Sequence, residues 1–143
     1  YYKRPDATDS FTSDGWLRTG DVATCDASGY IRLVDRTKDL IKSGGEWISS
    51  VDIENEIMSH PKVVEAAVIA VASKRWMESP MACVVLNKDE VMTHEELLEF
   101  LTPRMAKWWL PSVTRFIDEV PKTSTGKFSK RTLRDMFADL VVE

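Results

Sequence analysis

VVEAAVIAVA at residues 63–72 and MACVVL at residues 81–86 decide the fold. Both runs have strand length and are rich in β-branched and small apolar residues, and neither alternates apolar with polar. A strand with one face in water alternates, whereas a strand covered on both faces stays apolar throughout. The two runs therefore predict the centre of a sheet flanked by helices.

Working outward, Ser49 followed by Asp52 resembles a capping box, with the acid favoured near a helix N-terminus by the dipole. It predicts a helix from about Ser50 to Ser59 with Val51, Ile53, Ile57 and Met58 as its apolar stripe, ended by His60-Pro61. Thr93 with Glu96 is a second capping box, ahead of Leu97, Leu98, Leu101 and Met105 at helical spacing, with a kink or split near Thr102 before Pro103. Residues 113–117 read as a further strand, and Ser129 caps a last helix carrying Leu133, Met136, Phe137 and Leu140. Trp108-Trp109 reads as core and surface packing rather than as a ligand platform. Upstream, Leu40-Ile41-Lys42 and Trp47-Ile48 are two small strands around Ser43-Gly44-Gly45. Residues 22–25 and 30–34 form a hairpin around the turn residues Asp26-Ala27-Ser28-Gly29. Residues 1–13, polar and broken by Pro5, read as a peripheral segment. The resulting order β, α, β, β, α, β, α predicts an α+β sandwich.

Composition narrows the functions. The chain has 143 residues, 43% hydrophobic and 29% charged, enough for one core. A net charge of −4 gives no basic field for sequence-independent nucleic-acid binding. There is no apolar run of membrane-spanning length and no signal-peptide pattern, so a cytoplasmic setting is expected. Cys25 and Cys83 are far apart, without CxxC spacing, and His60 and His94 are the two histidines, so reduced structural thiols are expected and no metal site. The first residue is Tyr, which suggests a fragment of something longer.

Four segments could carry chemistry. PKTSTGK at residues 121–127 presents hydroxyls, a glycine and a lysine just before a helix, which suits an anion. A phosphate-binding P-loop would need glycine where Pro121 stands and Ser or Thr where Phe128 stands, so the motif is not that one; a solvated loop is the bland alternative. WLRTGD at residues 16–21 sets an acid after a glycine at a strand entry, where a carboxylate can accept from a ribose diol, although any turn favours the same residues. DRTKD at residues 35–39 reads as a solvated connection, and SGGEW at residues 43–47 either lets backbone approach a ligand or closes a tight hairpin.

In this order WLRTGD, VDRTKDLIKSGGEWISS, HPKVVEAAV and PKTSTGKFSKRTLR resemble the successive signatures of the C-terminal part of the acyl-adenylate-forming superfamily, from about Gly15 to Phe137. GGEWISS and AKWWLPS look most like medium- and long-chain fatty acyl-CoA synthetases. The resemblance implies that Asp21 binds the ribose of ATP or AMP, that Arg36 helps hold the nucleotide, and that Lys127 both binds the nucleotide at its α-phosphate and is the catalytic lysine of adenylation. It also implies that Lys38 is the hinge, that Ser43, Gly44, Gly45, Glu46 and Trp47 line the pantetheine path of CoA, and that a CoA-facing turn lies near Lys74 and Arg75. Asp35, Ser50 and Met77 depart from the family pattern, standing where Gly, Pro and Gly respectively are common.

On this resemblance residues 1–37 are the tail of a large N-terminal adenylation domain, reduced to a β-hairpin, residue 38 is the hinge, and residues 39–143 are a small lid domain. The lid should hold a mostly three-stranded central sheet flanked by helices and preceded by a two-stranded hairpin. The implied activity is AMP-forming ligation of a fatty acid to CoA, using ATP with Mg2+, with the missing domain as partner and no ligand bound to the inactive fragment. The rival is a non-catalytic module that binds a nucleotide or a protein; a threonine- and glycine-rich phosphate loop upstream in the gene would decide for the enzyme.

Overall fold

The computed structural model describes residues 10–143, so the expectation for residues 1–13 lies, over 1–9, outside the described residues. The chain divides into two compact units, Tyr1–Lys38 and Asp39–Glu143.

In the first unit β1 (Asp21–Cys25) and β2 (Ile31–Arg36) pair antiparallel. Their turn closes on Asp26, whose Oδ1 accepts from the backbone N–H of Ser28 and Tyr30, both at 2.9 Å. Phe11, Trp16 and Leu17 are 44%, 74% and 50% exposed, so they do not supply an apolar core.

The second unit is built on β5 (Val63–Ser73) and β6 (Met77–Leu86), which pair antiparallel from Val63↔Leu86 to Ser73↔Met77. The continuous apolar pattern has the expected cause. Ala66, Val68, Ala82 and Val84 face one cluster with Ile53 and Ile57 of α1 (Ser50–Met58) and Leu97 and Leu101 of α2 (His94–Leu101). The alternate residues Ala67, Ile69, Val71, Met81 and Cys83 face a second cluster with Val120 and Leu133 of α3 (Lys130–Met136). Each fully buried Ile or Leu contributes roughly 1.5–3 kcal/mol, so the two faces together hold the unit. All three helices are capped as their sequences predict. Ser49 Oγ accepts from Asp52 N, Thr93 Oγ1 from Glu96 N and Ser129 Oγ from Thr132 N.

The sheet is wider than its three central strands. β3 (Ile41–Ser43) and β4 (Glu46–Ile48) form a hairpin that joins β6 through Ser43↔Met77; β7 (Val113–Phe116) runs parallel to β6, and β8 (Val141–Val142) runs parallel to β5. The result is a six-stranded sheet. The last helix ends at Met136 rather than reaching Leu140, because the chain turns there to add β8. A 3₁₀ turn, Lys107–Trp109, follows α2, which stops at Leu101 beside Pro103.

Cys83 is buried in the sheet, and burial pushes its thiol up to about 11, against a smaller opposing pull from Arg115. Cys25 is exposed. The thiolate is the reactive form, so a maleimide at pH 7.5 should label Cys25 and spare Cys83 until denaturant is added. Equal labelling of both in the folded protein, read by peptide mass spectrometry, would contradict this packing.

Candidate functional site

Two of the three residues expected to hold the nucleotide, Asp21 and Arg36, stand opposite each other. Register pairs Asp21 with Arg36, and Arg36 Nε lies 3.7 Å from Asp21 Oδ1. The corner is closed by Thr37, whose N–H and Oγ1 both donate to the Gly20 carbonyl, at 2.8 and 3.1 Å. Asp21 is thus a partly exposed carboxylate at a strand entry, with acceptor capacity left over and a guanidinium beside it. Lys38, the expected hinge, is exposed and ends the first unit.

In the second unit, residues 121–129 form a closed loop that presents Lys127. Thr123 N donates to the Lys127 carbonyl at 2.7 Å, and Lys127 N donates to Thr123 Oγ1 at 3.2 Å. Gly126, at φ +80, makes the reversal. The base is closed by Ser129 N donating to the Pro121 carbonyl at 2.7 Å. The flanking lysines are both engaged: Lys122 Nζ is 2.7 Å from Glu65 Oε1, and Lys130 Nζ is 2.7 Å from Glu54 Oε1. Lys127 itself is exposed and makes no ion pair among the described residues. A rigid backbone carrying an uncommitted ammonium is what an anionic reactant requires.

The glycine pair makes a two-residue turn between β3 and β4, with Gly44 at φ +58 and Gly45 at φ +90. A Cβ on Gly44 would stand 3.2 Å from Cε3 of Trp76, so this backbone lies on an indole, whereas a Cβ on Gly45 would meet nothing within 4 Å. Beside the turn is a cavity of about 670 Å³. Of the five residues expected on the pantetheine path, Ser43, Gly44 and Glu46 line this cavity, and Gly45 and Trp47 are not among its lining. Trp47 is 58% exposed and stacks under the Lys42 ammonium, 5.4 Å from the ring centroid.

The same cavity is lined by Arg75, Trp76, Lys107 and Trp108, two basic-aromatic pairs from distant parts of the chain. Arg75 lies over the Trp76 ring at 4.5 Å. The packing expectation for Trp108-Trp109 therefore divides: Trp109 packs against the core, while Trp108 is 61% exposed on the cavity wall. The missed signal was the repeated Arg/Lys-Trp dipeptide, which says nothing until the fold brings the copies together. Met77, which opens β6 directly after Trp76, has φ +75, the conformation that glycine takes without strain. A methionine holds that conformation here at a cost in backbone strain.

Fold and sequence together place the chain in a family. Residues 52–127 match the AMP-binding enzyme C-terminal domain, and the chain belongs to that family. It is 54% identical over 139 residues to a long-chain-fatty-acid–CoA ligase of Thermus thermophilus, covering 96% of this chain and 26% of the relative. It is 41% identical over 133 residues to a medium-chain-fatty-acid–CoA ligase of Ectopseudomonas oleovorans, covering 93% and 24%. Among solved structures, ATP-bound MatB from Rhodopseudomonas palustris superposes with a TM-score of 0.88 at 32% identity, over 97% of this chain and 28% of that one. The chain thus spans about a quarter of the length of these relatives. No helix among the described residues is long and apolar enough to cross a membrane.

Proposed function

We propose that the chain is the C-terminal part of a cytoplasmic AMP-forming acyl-CoA synthetase acting on fatty acids, with residues 1–37 belonging to a large N-terminal domain and residues 39–143 forming its mobile lid. The observation that carries this is the closed loop presenting Lys127 as an exposed ammonium between two lysines that are committed to glutamates. In the first half-reaction a fatty carboxylate oxygen attacks the α-phosphorus of ATP, and the bond to pyrophosphate breaks. Lys127 bridges the carboxylate and the α-phosphate, stabilising the charge that develops during in-line displacement. Asp21 accepts from the ribose hydroxyls, and Arg36 holds the nucleotide beside it. Magnesium enters with the ATP phosphates; among the described residues no three His, Cys, Asp or Glu side chains gather as a metal-holding group.

In the second half-reaction the CoA sulfur attacks the acyl carbon, and AMP leaves with the carboxylate oxygen. Rotation about Lys38 exchanges the Lys127 loop for the turn at residues 43–47. The backbone of Gly44 and Gly45 admits pantetheine, and the cavity with Arg75, Trp76, Lys107 and Trp108 supplies rings for a base and cations for phosphates. The test is to express the full-length gene product and measure pyrophosphate release and thioester formation across fatty acids of increasing chain length. Release that depends on both acid and ATP is the expected result; no release with any carboxylate of the series would overturn the proposal.

A further inference from the structure

Lys130 opens α3, three residues after Lys127. Its side chain is 13% exposed, and its ammonium lies 2.7 Å from Glu54 Oε1 while donating to Ser50 Oγ at 2.6 Å. Glu54, 10% exposed, also accepts from the Val68 backbone N–H at 2.7 Å. The carboxylate is therefore fixed to the central strand and to α1 together, and it grips the first residue after the Lys127 loop.

The two helices depend on this contact unequally. α1 buries Ile53 and Ile57 completely and keeps its place without the ammonium. α3 has seven residues, of which Leu133 alone is buried, with Phe128 before it and Phe137 after it packed partly against the same cluster, and its length alone cannot sustain it. Polar ties supply the rest: Lys130 to α1 at its start, and Arg134 to Asp39 at its end. The other end of the loop is held by Val120, fully buried in the second cluster, and by Lys122 and Glu65, a pair 41% and 23% exposed, which solvent and salt weaken. Of the two ion pairs at the ends of the loop, Lys130–Glu54 is the more buried and therefore the stronger, and it adds to the apolar hold of Val120 and Phe128 on the second cluster.

We propose that Lys130 is a positioning residue for adenylation, holding the Lys127 ammonium in register through Glu54 and Ser50. This rests on the adenylation role of Lys127 given above. A reacting group displaced by about 1 Å loses on the order of a hundredfold in rate. Because the turn at residues 43–47 precedes α1, which stays packed, transfer to CoA should be spared.

The test uses the full-length protein and measures the half-reactions separately: pyrophosphate exchange for adenylation, and CoA thioester formation from pre-made acyl-AMP. Lys130→Met alone leaves Glu54 buried without its cation and risks unfolding. The decisive variant is therefore Lys130→Met with Glu54→Gln, which removes both charges and keeps an acceptor for Val68 N–H. It should fold, shown by an unchanged circular-dichroism spectrum, lose adenylation about tenfold to a hundredfold in kcat with the KM for ATP little changed, and keep thioester formation within about twofold. Lys130→Arg, which retains the charge, should recover most of the lost rate. A folded double variant that adenylates at the parent rate, or that loses both half-reactions equally, would overturn the proposal. Lys127→Ala in the same assays separates the levels: if it fails to lose adenylation selectively, the role of Lys127 falls and this proposal with it, whereas a selective Lys127 and a non-selective Lys130 overturn this proposal alone.

Discussion

Lys127→Ala in the full-length protein should depress acyl-AMP formation by about a hundredfold or more, while thioester formation from pre-made acyl-AMP is spared. A preorganised charge removed from a developing phosphoryl transition state costs on the order of 3 kcal/mol or more. The structure makes this a clean substitution. The loop is held by backbone contacts of Lys127, its N–H to Thr123 Oγ1 and its carbonyl from Thr123 N, and alanine keeps both. The ammonium itself is exposed, so its loss should leave stability within about 0.5 kcal/mol of the parent. Equal loss in both half-reactions would mean that Lys127 holds the fold rather than the reactants.

The opposite phenotype is expected at the glycine turn and the hinge. Gly45→Leu should slow CoA attack by about tenfold or more while pyrophosphate exchange stays nearly intact. At φ +90 any side chain is strained by roughly 1–2 kcal/mol, yet no heavy atom stands within 4 Å of the new Cβ, so the chain folds and the leucine fills open space. Gly45→Ala carries the same strain with less volume and should lose less, which separates strain from blockade. Gly44 would be a poorer probe, because its Cβ presses on Trp76 at 3.2 Å. Lys38→Pro should give the same phenotype by fixing φ near −65° at the proposed hinge. A torsion and a volume share no physics, so a common defect in CoA transfer points to a common step. If both variants fold and transfer acyl groups to CoA at the parent rate, the assignments of Lys38 and of residues 43–47 fail.

How legible the molecule was follows from the range over which each signal acts. Capping is local: Ser49, Thr93 and Ser129 each reach an N–H three residues away, and the sequence located all three helix starts. The two covered strands were legible because burial on both faces writes itself into composition, residue after residue, in residues 63–72 and 81–86. The sequence by itself also determined the motif loops, since a pair of glycines or PKTSTGK needs only its own backbone to turn. Tertiary structure alone decided what those loops meet. β8 is two residues long and has no periodicity to read, so only pairing with Ala72 and Ser73 makes it a strand. The cavity joins Ser43 to Trp76 and Trp108, and Lys130 finds Glu54, across separations that no spacing in the chain encodes. A side chain's partner across such a distance is chosen by how helices and sheet pack, and packing is a property of the whole core rather than of any segment.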